Sequence, residues 1–399
     1  MILRVSRAAP ATTINTWVLL LCQVIGTASM VSIQFVGSLM GKQLAMDMRL
    51  ATLPVAVQVM SSALGGWPAS QLMRRFGRRA CFIASALLGA SSLALAAHAV
   101  LGLDFWLFCA AVFGFGLHGA FVQQYRFAIL EGQESGKAPR LLTRVQLASA
   151  AGIFPGLSLF GFLEGRTSDY VPWVLLCLAM FQALAALALV AYQPQAAVAS
   201  QVSFTPDARA RALYWPMVVM GAGAFLVMSL LMVPTPLQMC GIEQFAVRQA
   251  SWVVQVHLLC MYLPALSIGA LLKRVSIAQL QGLGLLLLLA GYLLSWVQGF
   301  GGHLVGLGLV GVGWCFVFVT ATTLVMRSRS GPERFRAQGV NDLCVFSASG
   351  VASLTSGALL SLMGWHGLLQ LGVVLVLGLI AIAWLGHRAV NAPSQAPSV

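Results

Sequence analysis

A histidine and three methionines stand at helical spacing in two consecutive apolar segments. His257 and Met261 form a His-x-x-x-Met pair, and the preceding apolar segment carries Met228-x-x-x-Met232. Residues four apart lie on one helix face, so each pair presents two side chains to one neighbour. Thioether sulfur and neutral imidazole suit a soft ion such as Cu(I), whereas Mg²⁺ and Ca²⁺ prefer oxygen ligands. The spacing allows a two-level copper site, whereas core packing by flexible methionines is the commoner reason for such spacing.

A second candidate site consists of polar and aromatic residues in other apolar segments. No Asp or Glu falls in the middle third of any predicted span, so a carboxylate proton relay is not expected. Imidazole titrates near neutral pH, and aromatic rings stack on planar organic molecules. The candidates for a proton or an organic substrate are His118, Gln123, Gln124, Gln255 and Trp314. For His118, a histidine satisfied by a neighbouring helix is an equal alternative, and for Trp314 the alternative is aromatic filling between helices.

The elements that position these residues are predicted to be membrane helices. Hydrophobic residues make up 59% of the 399-residue chain and charged residues only 8%, too little polar surface for a water-soluble protein of this length. Charge-free runs are about the 20 residues needed to cross a ~30 Å hydrocarbon layer as a helix, without the alternation of a barrel strand. We therefore predict an all-α membrane protein with twelve transmembrane helices. Their spans are 16–39, 51–71, 79–100, 103–126, 141–163, 172–192, 213–238, 250–272, 277–297, 301–326, 338–362 and 366–386.

The distribution of basic residues orients these spans. With a cytoplasmic N-terminus, every Lys and Arg lies on the cytoplasmic side except Lys42, Arg49, Arg166 and Arg248, as the positive-inside rule requires. The net charge of +13 then lies beside the anionic inner leaflet. We expect a multi-pass protein of the bacterial inner membrane, with both termini cytoplasmic, in contact with the lipid bilayer and without a nucleic-acid partner.

One polar segment divides the chain into two similar parts. Residues 193–212 are the longest polar interruption and predict a cytoplasmic linker between a six-helix half over 1–192 and a second half over 213–399. The sequence at 69–77, after the second span, is similar to that at 268–276, after the eighth. A duplication of this kind predicts a binding site between the halves.

The loop between the second and third spans resembles a known signature. Arg74-Arg-Phe-Gly-Arg-Arg79 is similar to the loop of the major facilitator superfamily whose usual form is Gly-x-Leu-x-Asp-Arg-x-Gly-Arg-Arg. Ser70 replaces the glycine and Arg74 replaces the aspartate. The resemblance implies the major facilitator fold and a gate that includes Arg74, Arg75, Gly77, Arg78 and Arg79. It also implies an acidic partner at Asp342, for which we expect pairing with Arg75 or Arg126 when the cytoplasmic gate is closed. The alternative is a solvated carboxylate at a helix start.

Four further blocks resemble a bacterial branch of this superfamily that contains copper importers for cytochrome oxidase assembly and riboflavin transporters. These blocks are 231–239, 252–261, 313–319 and 336–342. The resemblance implies a secondary transporter that imports a small solute by alternating access and places Met228, Met232, His257 and Met261 on cavity-lining helices. Because one fold carries many cargoes, membership alone does not choose between them.

The expectations for function follow from these observations. Copper is the leading cargo, as a transported ion and not as a resident cofactor, and a riboflavin-like or siderophore-like organic molecule is the alternative. A membrane sensor or assembly factor without flux is a third hypothesis. The sequence contains no nucleotide-binding loop and no nucleophile elbow, so we do not expect an enzyme. We expect a monomer whose partner is the small solute or metal ion.

Overall fold

The protein folds almost entirely into long helices. The structure is a computed structural model that describes residues 8–131, 133, 137–167, 169–195, 208–329 and 331–391. A 3₁₀ turn spans Met48–Leu50 and a π-helix spans Leu237–Ile242. The α-helices are α1 (Ala8–Leu44), α2 (Leu53–Phe76), α3 (Arg78–Leu101), α4 (Phe105–Val122), α5 (Tyr125–Ala128), α6 (Ala138–Leu163), α7 (Tyr170–Leu189), α8 (Ala208–Ala212), α9 (Tyr214–Met232), α10 (Val247–Leu271), α11 (Ile277–Leu294), α12 (Phe300–Arg327) and α13 (Gly331–Asn391).

Short polar sequences begin several of these apolar helices. Asp104 caps α4 by accepting a hydrogen bond from the Leu107 N–H at 2.9 Å. Ser276 and Gln279 form a capping box at the start of α11, each side chain accepting from the other's backbone N–H. Such caps satisfy N–H groups that have no partner inside the helix. The described residues include 11 helices long and apolar enough to cross a membrane.

The last of these helices contains two spans. A straight helix of 61 residues would be about 90 Å long, three times the hydrocarbon thickness. The chain turns back at Gly364, where φ is 67° and ψ is −178°. Tyr214 donates to the carbonyl of Ala337 at one end of α13, and Gly386 near the other end lies against Leu213. Both ends of α13 therefore lie at one face, and the predicted fold with twelve spans is confirmed.

The helices pack as two bundles. Helices α1 to α7 pack on one another, as do α9 to α13, and the bundles meet where α10 contacts α6 and where α13 contacts α2. Most of the predicted linker, residues 196–207, lies outside the described residues, as do the terminal residues 1–7 and 392–399. The domain boundaries at 192 and 213 and the cytoplasmic side of the termini stay predictions.

Hydrogen bonds between the bundles cluster at one end of the molecule, where α1, α3 and α6 end and α10 begins. We call this end the Leu44 face, and the opposite end, where α2 stops, the Phe76 face. At the Leu44 face, Lys42 Nζ donates to the Gly241 carbonyl at 2.9 Å. The Gly357 N–H donates to Thr52 Oγ1 at 3.1 Å. The Glu164 carboxylate accepts hydrogen bonds from the first two N–H groups of α10. The bundles are joined at the Leu44 face.

Candidate functional site

His257 lies at the contact between α10 and α12. It is fully buried, and its Nδ1 hydrogen-bonds the carbonyl of Leu307 at 2.7 Å. A Cβ atom added at Gly311 would lie 2.6 Å from the His257 carbonyl oxygen, so glycine lets the two helices approach this closely. The bond to Leu307 requires a proton on Nδ1. His257 Nε2 is then an acceptor, and it has no hydrogen-bond partner among the described residues.

The two methionine-bearing helices do not pack side by side. Helix α9, with Met228 and Met232, packs on α12 and α13, whereas α10, with His257 and Met261, packs on α12 and α6. Met228 and Met261 are buried, and Met232 is partly buried in the same apolar core. Both helices therefore pack on α12, and the four-residue ligand set stays a prediction. Among the described residues, no group of three or more His, Cys, Asp and Glu side chains could hold a metal ion.

Trp314 belongs to an aromatic cluster between α9 and α12. Its ring stacks on Phe318, with centroids 5.1 Å apart and planes within 12°. Phe225 of α9 meets both rings edge-on, at 4.9 Å and 5.0 Å. The indole Nε1 is buried and has no hydrogen-bond partner in the described part of the chain. A flat aromatic surface with an unused donor is suited to a planar molecule that carries a hydrogen-bond acceptor.

Gln255 faces a cavity between the bundles. A cavity of about 480 Å³ lies between α6 and α10 near the Leu44 face, and its lining includes Ser158, Phe162, Arg248, Ser251 and Gln255. Gln255 is buried, and its Oε1 lacks a hydrogen-bond partner among the described residues. A buried acceptor without a partner is costly, so this amide is available to bind a polar group.

Three further buried polar groups, which were not predicted from the sequence, also lack a hydrogen-bond partner among the described residues. Gln58 Oε1 of α2, and Asn341 Oδ1 and Ser353 Oγ of α13, are buried without a partner in the described residues. Thr52 bonds Gly357 and Met60 contacts Gly350, so α2 and α13 run antiparallel. This register places Gln58 and Ser353 at the same depth. In the sequence, each of them is a polar residue inside an apolar run. Many serines and glutamines of this chain share that pattern, so it does not single these three out.

His118 lies inside the first bundle. Its ring packs on Gly89 of α3 and on Phe115, with centroids 5.7 Å apart. The side chain is 1% exposed, and neither ring nitrogen forms a hydrogen bond to the described residues. The Ser85 backbone and the Gln182 side chain act on the ring, and the Gln182 amide also donates to Ser29. The structure therefore places His118 between α3, α4 and α7, away from the contact between the bundles.

Gln123 and Gln124 form the turn between α4 and α5. Both are half-buried, and their backbone N–H groups donate to Gly119 and Phe121. Arg126 follows on α5, with its guanidinium 4.8 Å from the ring centroid of Phe127. All three lie at the Phe76 face.

The basic residues of the signature loop contact other residues of the first bundle. Gly77 separates α2 from α3 with a φ of 80°, a conformation that favours glycine. Arg78 forms an ion pair with Glu131 at 3.0 Å, and Arg79 donates to the carbonyl of Val190. Arg74 donates to Gln71, and the Arg75 guanidinium lies over the Phe76 ring. The loop is anchored to α5 and α7.

Asp342 and Arg126 face one another across the two bundles at the Phe76 face. Each charge acts on the other, but neither Arg126 nor Arg75 forms an ion pair with Asp342 among the described contacts. Asp342 is exposed and accepts a bond from Asn341 at 3.3 Å. The predicted pairing belongs to a state with this face closed and stays a prediction.

Two bacterial transporters are similar to this chain in sequence over most of their length. No family model matches the chain. Over 366 residues it is 30% identical to the riboflavin transporter RfnT of Brucella anthropi, covering 88% of this chain and 90% of the relative. Over 398 residues it is 24% identical to the uncharacterized MFS-type transporter YdeG of Bacillus subtilis, covering 93% and 92%.

Solved transporter structures share the fold. A bacterial homologue of the human lysosomal transporter Spinster, solved in an inward-facing and unoccupied conformation, aligns with a TM-score of 0.73 at 14% identity, covering 98% of this chain and 100% of that one. The nucleoside transporter NupG aligns with a TM-score of 0.66 at 14% identity, covering 94% and 100%. Together with the 30% identity to a transporter over nearly the whole length, these findings show that the chain belongs to the major facilitator superfamily of membrane transporters.

Proposed function

We propose that this transporter imports a small, planar organic molecule of the riboflavin type by alternating access. The observation that carries the proposal is the similarity to RfnT, at 30% identity over 90% of that transporter. The geometry supports it, because Trp314 and Phe318 present stacked rings. Unpartnered polar atoms on Gln255 and Asn341 could bind the edges of a heteroaromatic ring.

The orientation of the transporter in the membrane rests on the charge bias. Because most of the basic residues that the structure describes lie at the Phe76 face, we propose that this face is cytoplasmic and that the Leu44 face is external. The bonds between the bundles at the Leu44 face and the separated Asp342 and Arg126 then correspond to a state closed outside and open inside. The two halves would rock about a site near the midplane.

Copper is a second candidate cargo because one donor in the structure suits it. His257 has a buried Nε2 without a partner, while its Nδ1 is bonded to a backbone carbonyl, as in many histidines that bind metals. Met228 and Met232 lie on α9, which packs on the same helix α12 as the His257-bearing α10. Neither curated relative described above is named as a copper transporter.

Uptake of labelled riboflavin and of labelled copper into proteoliposomes tests the proposal. We expect riboflavin uptake in wild type, and a loss of about tenfold or more in Trp314→Ala because a buried aromatic contact with the cargo is removed. Trp384→Ala, at an exposed position on α13, is the matched control and should transport normally.

Each outcome chooses one hypothesis. Copper uptake that depends on His257, without riboflavin uptake, would overturn the proposal in favour of copper. Binding of riboflavin without flux would favour the sensor. Equal uptake by Trp314→Ala and wild type would remove Trp314 from the site.

A further inference from the structure

We infer that Glu164 is a positioning residue of the external gate: its carboxylate, on the first bundle, caps helix α10 of the second bundle and so stabilises the state closed at the Leu44 face. The inference rests on the proposed alternating-access transport and does not depend on the cargo. One oxygen of Glu164 accepts from the Val247 N–H at 2.7 Å, and the other accepts from the Arg248 N–H at 2.9 Å. One side chain thus takes up two N–H groups in the first turn of α10.

The start of α10 requires a partner from elsewhere. Its N-cap residue is Ala246, which has no side-chain oxygen to accept from the first turn. Gln249 bonds the backbone N–H of Ala246, but this leaves the N–H groups of Val247 and Arg248 to be satisfied from outside the helix. Asp104 and Ser276 cap their own helices. At α10 the capping group comes from the other bundle.

The local structure of α6 delivers the carboxylate to this position. Glu164 directly follows α6, and its own N–H still donates to Phe160, so its backbone is held by the helix. Gly161, one turn earlier, allows close contact, because a Cβ atom there would lie 3.0 Å from Arg248 Cγ and 3.2 Å from its Cα. Gly165, with a φ of 79°, turns the chain away immediately afterwards. The Glu164 carboxylate is therefore held against the first turn of α10.

These bonds favour the closed state in particular. A carboxylate at a helix N-terminus gains from charge-assisted hydrogen bonds and from the helix dipole. When the bundles separate at the Leu44 face, the hydrogen bonds between Glu164 and the α10 N–H groups break, and water must solvate both partners. Breaking this cap therefore shifts the equilibrium towards the externally open state and leaves each bundle intact.

Labelling of a buried residue beneath the cap tests the inference. Ser251 is 1% exposed and lines the cavity between α6 and α10. In purified protein carrying Ser251→Cys and Cys240→Ser, a water-soluble maleimide should react slowly, measured against the same protein without Ser251→Cys. We expect Glu164→Ala to raise the labelling rate about tenfold, the effect of losing charge-assisted hydrogen bonds. Glu164→Gln, which keeps one acceptor oxygen, should give an intermediate rate.

Asp104→Ala provides the matched control. Asp104 is also a carboxylate that caps a helix at the Leu44 face, but it bonds Leu107 within its own bundle. Its loss should lower stability and leave the labelling rate unchanged. An unchanged rate in both Glu164 variants would overturn the inference, as would an equal increase in Asp104→Ala. Because labelling needs no cargo, failure of riboflavin uptake with the expected labelling would refute the proposed cargo alone.

Discussion

The guanidinium of Arg78 lies 3.0 Å from the carboxylate of Glu131, and this pair joins the start of α3 to the segment after α5. Tyr192 reaches the same carboxylate from the end of α7, with its hydroxyl 3.5 Å from Oε2. The signature loop, which family resemblance assigns to the gate, is therefore anchored to the segments that follow α5 and α7 in the same bundle. It moves with that bundle as a unit.

Removing one partner of this ion pair should cost more than removing both. Arg78→Ala leaves the mostly buried Glu131 carboxylate without a counter-charge and should destabilise the protein by about 1–3 kcal/mol. The double variant Arg78→Ala with Glu131→Gln should recover part of that loss. Thermal unfolding in detergent measures both, with Arg74→Ala, whose hydrogen bond to Gln71 is exposed, as the near-neutral control. Additive losses in the double variant would contradict the coupling.

The stability that Glu131 contributes should fall as pH rises. Burial raises the pKa of Glu131 above its ordinary value, although Arg78 and Tyr192 act in the opposite direction. The folded protein then binds this proton more tightly than the unfolded chain, so the contribution is present at low pH and is lost as pH rises through the raised pKa. We expect the Tm of wild type minus that of Glu131→Gln to decrease between about pH 4 and pH 7. An increase over that range would show that the ion pair outweighs burial.

Two glycines on α12 should respond differently to the same substitution. A Cβ atom at Gly311 would lie 2.6 Å from the His257 carbonyl oxygen, whereas at Gly308 its nearest neighbour would be 3.8 Å away. Gly311→Ala should therefore force α10 and α12 apart and cost about 1–3 kcal/mol. Gly308→Ala should be neutral or slightly stabilising because alanine favours the helix. Equal Tm values for the two variants would show that the helices adjust without cost.

The turn inside α13 should require glycine specifically. Gly364 has a φ of 67° with a ψ of −178°, a region that is essentially restricted to glycine. Gly364→Ala and Gly364→Asn should both lose about 1–3 kcal/mol, since asparagine tolerates the left-handed helical region and not this one. Gly378→Ala, in open space within the same helix, is the control. Rescue by asparagine would argue for an ordinary left-handed turn.

The membrane spans could be predicted from the sequence because charged residues mark the ends of the apolar runs. Placing a charged side chain in lipid costs several kcal/mol, so the charges stay outside the spans. The sequence predicted less about the candidate site. The copper site rested on helical spacing within two segments, and spacing along one helix does not specify which side chains of two helices meet. The role of Glu164 was also invisible, because its partner N–H groups are 83 and 84 residues away and belong to the backbone.

The single-residue turn at Gly364 has a mechanical consequence. A loop between the last two spans would let them tilt independently, whereas one glycine between two helices transmits a tilt of either span to the other. The first segment carries Asp342 and contacts α2, and the second packs along α9, where Leu379 meets Gly223. Because a single residue joins the two segments, a shift of the first segment against α2 should displace the second segment beside α9.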